Sequence, residues 1–304
     1  MTKKPTVTVG IPAYNEEMNI GHLLRALFSQ ERKSYKLQSI IVACDACDDK
    51  TVEKIRSLKN NKVKLLEGKH RKGQSYRQDQ IIKGCNSDIL VLLNADIELD
   101  GPSFVEKLIA PIFSNNADLV SSNVLPLKPW SFFERVLYVG YHFKNYQFEK
   151  LNGGINVYTC HGAARAFSKK YFKRFSFKGI VAEDAYSYFT CVSRGLKYAY
   201  AKNAVAFIRL PGNMKDHSRQ SFRFTHARTK FLNSFDKELL SRSYNLSKKK
   251  AIKGLLISLV RNPVEMSMYL ILLVYMRLLP YVIPHEHTTV WQVAASSKNL
   301  SQAI

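Results

Sequence analysis

Four groups of residues in this chain have the types and spacing that chemistry on phosphorylated substrates needs. Asn94-Ala95-Asp96 ends an apolar run. A carboxylate held there can bind a hard divalent cation that bridges two phosphates, since Mg²⁺ combines carboxylate with phosphate oxygens; the competing role is an Asp that caps the next helix or turn. Asp45 closes an earlier apolar run, where its carboxylate can accept a hydrogen bond from a nucleobase N–H, and Asp48, Asp49 and Thr51 behind it read as a loop capping the next helix. Glu183-Asp184 lies between the apolar Gly179-Ile180-Val181-Ala182 and the aromatic Tyr186–Phe189. Such surroundings tune a carboxyl for proton abstraction, although a helix N-terminus favours an acidic pair as well. Gln220 and Arg223, three residues apart, share a helix face and point either at a diphosphate or into solvent.

These residues need a frame to bring them together. Val7–Ile11, Ile40–Cys44, Val63–Leu66 and Ile89–Leu93 are short β-branched runs separated by segments of helical periodicity, which predicts a parallel, right-handed βαβ sheet. Ile20, Leu23, Leu24, Leu27 and Phe28 fall on one face of the first helix and cover the sheet. In such sheets ligands bind at the C-terminal strand ends, and that is where the turn from Pro12 to Glu16, Asp45 and Asn94–Asp96 stand. Beyond Pro102 the pattern is mixed: an aromatic segment Trp130–Phe148, a glycine turn at Gly153-Gly154, a strand across Val157–Phe167 and a long polar helix over Asp216–Arg242.

The composition narrows the partners. With 46 Lys and Arg against 24 acidic residues, the chain carries a net charge of +22 that an anionic partner would match. The basic residues are spread along the chain without a helix-turn-helix, zinc-finger or RNA-binding signature, so nucleic acid is not expected. The five cysteines are odd in number and not spaced as a disulfide framework, which favours a reducing compartment. Cys44 and Cys47 form a C-x-x-C with no second pair for zinc. No secretory signal opens the chain, and a cytoplasmic catalytic part follows as an expectation.

The stretch Val264–Ile283 is dominated by Leu, Met, Val, Ile and Tyr and is long enough to cross a bilayer, yet contains Glu265, Arg277 and Pro280. Either charge costs about 2.5–3.5 kcal/mol at the centre of a span. Lys248, Lys249, Lys250, Lys253 and Arg261 precede it and suit an anionic membrane surface. Trp130, Phe132 and Phe133 are further candidates for an interface. We expect residues 243–304 to be a membrane-associating helical extension of a catalytic domain over residues 1–242, lying in the interface or re-entering more readily than spanning. In that arrangement the tail Trp291–Lys298 can return to the catalytic domain.

Taken together, an acidic residue after strand two, Asp96 after strand four, Asp184, and Gln220-Ser221-Phe222-Arg223-Phe224 resemble the family 2 glycosyltransferases, closest to the branch of ceramide glucosyltransferase and the processive synthases. The resemblance spans about residues 6 to 230. Val9-Gly10-Ile11-Pro12-Ala13-Tyr14-Asn15-Glu16-Glu17 is similar to the family's strand-one signature, and Asp45-Ala46-Cys47-Asp48-Asp49-Lys50-Thr51 to its Asp-Gly-Ser-x-Asp-x-Thr. Arg71-Lys72-Gly73-Gln74 is similar to its basic-Gly turn, and His161-Gly162-Ala163-Ala164-Arg165 to its strand near the acceptor. Asn94, Ala46-Cys47 and Phe224 depart from the family's Asp, Gly-Ser and Trp.

The resemblance implies a GT-A α/β fold, a mainly parallel Rossmann-like sheet flanked by helices. It implies an inverting, metal-dependent transfer of a sugar from a nucleotide-sugar, UDP-linked by expectation, to a lipid or glycan hydroxyl at the cytoplasmic membrane face. Asp184 is then the base. Pro12, Tyr14, Glu16, Asp45, Lys72 and Asn94 line the nucleotide, Asp96 holds Mg²⁺ or Mn²⁺, and Gln220 and Arg223 meet the diphosphate. A nucleotidyltransferase, which wants a Gly-rich phosphate loop after strand one, and a non-catalytic nucleotide-binding membrane protein are the rival readings.

Overall fold

A computed structural model describes residues 4–177, 179–180, 182–231, 234–282 and 295–300, without the side chains of 222–230 and 279–282. The first half alternates β1 (Thr6–Ala13), α1 (Ile20–Phe28), β2 (Lys36–Asp45), α2 (Thr51–Ser57), β3 (Val63–Gly68), α3 (Gln74–Gly84), β4 (Ile89–Leu93) and β5 (Ile97–Leu99). α4 (Phe104–Phe113), β6 (Leu119–Pro126), α5 (Phe132–Lys150), β7 (Ala164–Ser168), α6 (Lys169–Phe172), α7 (Glu183–Ser193) and β8 (Tyr198–Ile208) follow. The chain continues with α8 (Met214–Phe231), α9 (Lys237–Tyr244), α10 (Lys248–Arg261) and α11 (Pro263–Val282).

The strands described form one sheet in the order β3-β2-β1-β4-β7-β6-β8-β5. β1 pairs in parallel with β2 and β4, β2 with β3, and β6 with β8; β7 runs antiparallel to β4 and β6, and β5 to β8. The expected parallel half is therefore present, and β7 turns the second half into a mixed sheet. β1 and β4 are buried along nearly their whole length because helices cover both faces, which is why they read as continuous apolar runs. Ile20, Leu23, Leu24 and Leu27 of α1 are buried against one face. The strand order reverses between β1 and β4, and the crevice outside that switch point is the natural ligand site of an open α/β sheet.

Two segments differ from their sequence patterns. Val157–Phe167 is not one strand: Val157–Thr159 is a 3₁₀ turn and only Ala164–Ser168 pairs in the sheet. The Asn156 side chain accepts from Tyr158 and Thr159 N–H at 3.0 and 3.3 Å and holds that turn closed. The polar helix over Asp216–Arg242 is likewise two helices. Asp236 accepts the Leu239 N–H at 2.9 Å and starts α9 as a new N-cap, while Phe231 and Phe235 insert into an aromatic cluster with Phe189.

The last two helices lean on α5. Met266, Tyr269 and Leu272 of α11 pack with Val136 and Leu137. Gly140 permits the contact, since a Cβ there would stand 2.2 Å from the Tyr269 ring. Gly140→Ala should therefore overpack the α5–α11 seam and cost about 1–3 kcal/mol, visible as a lower thermal midpoint by calorimetry; an unchanged midpoint would show that the seam is looser than this. The opposite faces of the same helices stay open. Ile252, Leu256 and Val260 recur along α10, and Val264, Ile271, Val274 and Leu278 along α11, all of them exposed, Val260 at 84%.

Candidate active site

The first two strand-to-helix loops are stitched together by the residues that follow them. Glu16 N–H donates to Thr51 Oγ1 at 2.7 Å and Glu17 N–H to Asp49 Oδ2 at 3.0 Å, while Asp49 Oδ1 accepts the Thr51 N–H at 2.9 Å. Asp49 therefore ties α2 to the Tyr14–Glu17 turn besides receiving its first N–H. Asn15, at φ +52°, bonds to Asp48 with both ends of its amide. These bonds fix where Tyr14 and Glu16 stand at the end of β1.

Asp45 is buried and accepts three donors: Lys72 N–H and Arg77 Nε on Oδ1, both at 2.8 Å, and Gly73 N–H on Oδ2 at 2.9 Å. It thus clamps the 71–73 loop, and Oδ2 keeps a lone pair for one further donor. Within the clamped loop the two basic side chains diverge. Lys72 turns to Tyr76, its Nζ 3.4 Å from the hydroxyl and outside the cavity wall, whereas Arg71 lies 3.6 Å over the Tyr14 ring and lines the cavity.

At the end of β4, Asn94 accepts from Gln74 Nε2 at 2.9 Å, and the same amide donates to Glu183 Oε1 at 3.0 Å. Gln74 therefore links the β4 end to the start of α7. Burial, and after it the nearby Asp96 carboxylate, push the Glu16 carboxyl up to about 7, against the pull of Lys298. Two carboxylates facing one another in this way suit a cation that neutralises them. Among the described residues, no cluster of three His, Cys, Asp or Glu forms a metal cage. The donor set would suit a hard ion held through Asp96 and completed by phosphate and water rather than one held by protein alone.

Asp184 stands half-buried at the N-terminus of α7. The preceding Ala182 has a left-handed backbone, φ +63°, which turns the chain sharply into the helix. Below it, Arg165 Nη1 donates to Glu183 O at 2.9 Å and to Ser187 Oγ at 2.8 Å, and Ser187 Oγ donates to Asp184 O at 2.7 Å. A Cβ at Gly162 would lie 3.5 Å from Glu183 Oε1 and 3.7 Å from Asp184 Oδ2, so the bare backbone there forms a floor beneath both carboxylates. His161 lines the cavity next to them and its Nδ1 accepts the Ala163 N–H at 3.2 Å. Burial holds this imidazole below its usual range despite the opposing pull of Asp184.

A single cavity of about 840 Å³ joins these groups: Pro12, Tyr14, Glu16, Asp45, Asn94, Asp96, Asp184 and Gln220 of the expected set all line it. Arg223 lies on α8, and its side chain is outside the described residues. Arg71, Gln74, His161 and Lys298 join the site without having been singled out as site residues, Lys298 as the end of the tail expected to return. The first three stand in motifs whose type was legible and whose side-chain directions were not.

Lys298 arrives from the far end of the chain. Its ammonium pairs with Glu16 Oε1 at 2.7 Å and donates to the carbonyls of Tyr14 and Asn15. Ser296 donates through N and Oγ to Asp216 Oδ2 at 3.0 and 2.6 Å. The tail thus returns to the β1 end of the cavity; Trp291–Ala294 lie outside the described residues.

The family model described as Glycosyl transferase family 2 matches residues 8–175. None of the curated proteins matches the chain. Among solved structures, a mannosyltransferase from Pyrobaculum calidifontis in complex with GDP-Man and Mn²⁺ superposes with a TM-score of 0.62 at 16% identity, over 99% of this chain and 88% of that one. S. aureus TarS 1–349 gives 0.58 at 14%, over 79% and 71%. Glucosyl-3-phosphoglycerate synthase from Mycobacterium tuberculosis, with Mn²⁺, UDP and glucosyl-3-phosphoglycerate, gives 0.52 at 16%, over 80% and 82%. At these identities the likeness is one of fold, and the fold is GT-A.

Proposed function

The chain belongs to glycosyl transferase family 2, and we propose that it transfers a sugar from a UDP-sugar to an acceptor hydroxyl with inversion, at the cytoplasmic face of a membrane. The observation that carries this reading is the shared cavity, which has Tyr14, Glu16, Asp45 and Asp96 at the sheet's switch point and Asp184 on its wall. Tyr14 and Glu16 take base and ribose, and the remaining lone pair on Asp45 takes a base N–H. Asp184 removes the proton from the acceptor hydroxyl as the oxygen attacks the anomeric carbon opposite the departing diphosphate. One displacement inverts that centre without a covalent enzyme intermediate. Gln220 and Arg223 steady the departing diphosphate. Mg²⁺ or Mn²⁺ held by Asp96, when bound, supplies neutralising charge on the diphosphate oxygens.

Screening UDP-, GDP- and dTDP-sugars for release of nucleoside diphosphate tests the reading. Pyrophosphate as product would move the protein to the nucleotidyltransferases. No turnover with any donor, in protein that still binds nucleotide, would favour a non-catalytic role.

The membrane part rests on the open apolar stripes of α10 and α11 beside exposed Lys248, Lys249, Lys250 and Lys253. Among the described residues no helix is long and apolar enough to cross a membrane, which favours helices lying in the interface over a span. The protein should cosediment with vesicles containing anionic lipid and be released by high salt. At about 1 kcal/mol per basic residue near the surface, replacing these four lysines by Gln should weaken binding by at least about tenfold. Protein that stays in solution with anionic vesicles at low salt would end the membrane reading.

A further inference from the structure

Charge is segregated along the cavity. Every carboxylate on its wall, Glu16, Asp45, Asp96, Glu183 and Asp184, comes from the strand ends or the start of α7. The part bounded by α5, α8 and α11 is lined instead by Lys144, Arg209, His217 and Arg277, with no acidic residue on its wall among the described residues. Lys144 Nζ stands 5.8 Å from the Tyr269 ring centre, and His217 packs edge-on against Phe133 of α5. Neither Lys144 nor Arg277 makes an ion pair among the described residues.

Two buried residues in this region carry donors that lack acceptors. The Tyr269 hydroxyl has no hydrogen-bond partner although the residue is only 2% exposed. Arg209, 3% exposed, gives one nitrogen to Lys128 O and to Glu134, and its Nε and Nη2 have no partner. Orphaned buried donors of this kind are costly. A small turn of either side chain would bring these donors to a ligand with acceptor oxygens, and phosphate offers several oxygens and up to two charges to them and to the Lys144 and Arg277 cations.

The wall next to this cluster is apolar, with Leu137, Tyr141 and Phe148 of α5 facing the same cavity. α11 belongs to both surfaces: Tyr269 and Arg277 face the cavity, while Val264, Ile271 and Val274 are exposed on its other side. Resting on the glycosyltransferase reading above, we propose that the α5–α8–α11 end of the cavity is an acceptor subsite for the phosphate of a membrane amphiphile. The apolar wall of α5 holds the chain next to it and Asp184 addresses a hydroxyl on the sugar side. Burial, and after it the Lys144 charge, hold the His217 imidazole down to about 4, so at neutral pH it is an uncharged partner beside the cations.

The test compares three probes by titration calorimetry in the presence of UDP: lysophosphatidic acid below its micelle concentration, the monoacylglycerol of the same chain, and glycerol 3-phosphate. Lysophosphatidic acid should bind at least tenfold more tightly than either of the others. The double variant Lys144→Met and Arg277→Met should lose most of that margin, and Lys144→Arg should keep it. Lys64→Ala, on exposed β3, serves as the control for charge lost elsewhere. Equal affinity for the phosphate and the neutral amphiphile overturns the anion subsite. Glycerol 3-phosphate binding as tightly as the lysophospholipid overturns the lipid source. Nucleotide release measured on the same preparation separates the two readings. Release without phosphate preference sinks the subsite alone, and phosphate preference without release from any sugar donor sinks the transferase reading alone.

Discussion

Asp184→Asn is expected to cut turnover by about 10²–10⁴-fold while nucleotide affinity stays within about twofold. The substitution is nearly isosteric and removes only the ability to take a proton. The backbone of the pair is fixed independently of the carboxylate, since Arg165 Nη1 holds Glu183 O and Ser187 Oγ holds Asp184 O. The base is therefore lost without moving the helix that carried it. Glu183→Gln is the informative neighbour. Glu183 Oε1 already accepts from Gln74, which in turn holds Asn94, so a change there should act on the donor side and on KM more than on kcat. Both turnovers would be measured as nucleotide release with saturating donor, and binding by UDP titration. Near-normal kcat in the Asp184 variant together with collapse in the Glu183 variant would transfer the base role to Glu183.

The first half of the fold was legible because its strands are buried on both faces. Val7, Val9 and Ile11, like Leu90 to Leu93, have no solvent side, so they read as uninterrupted apolar runs. The acidic residues at the strand ends were legible for the same reason: a charged side chain that abruptly ends such a run has to face the sheet's edge. Side-chain direction in the loops was not legible. Arg71 and Lys72 are adjacent and chemically alike, yet the clamp of Asp45 on the Lys72 and Gly73 N–H groups sends one over Tyr14 and the other to Tyr76. No feature of composition records that clamp.

Beyond Pro102 local signals lost to tertiary ones. Residues 157–167 have the β-branched and aromatic content of a strand, but Asn156 supplies a side-chain acceptor that closes a turn at its start. Residues 216–242 keep helical periodicity throughout, and it is Asp236 that caps a second helix and splits them. The tail reached its place by charge pairing across 282 residues, Lys298 to Glu16, a distance at which sequence spacing carries no information.

Replacing Asp96 by Ala should weaken Mg²⁺-dependent UDP binding by about 10²-fold, on the scale of the few kcal/mol that a diphosphate-bound cation contributes. Chelation of the wild type should reproduce the loss. The physical case is the charge balance at the switch point. Glu16 is already committed to Asn19 and Lys298, at 2.9 and 2.7 Å, and the Asp96 carboxylate next to it still raises its pKa. A nucleoside diphosphate entering here adds further negative charge, and the Lys298 ammonium is a single positive charge already held by Glu16. A divalent ion held by Asp96 would balance, beside the diphosphate, what one lysine does not. Titrating UDP with Mg²⁺, with Mn²⁺ and with chelator, on wild type, Asp96→Ala and Lys298→Ala, separates the two cations. Affinity that falls with chelator only while Asp96 is present assigns the ion to Asp96. Affinity insensitive to chelator in the wild type but lost in Lys298→Ala would make the lysine the cation of this site and remove the metal from the mechanism.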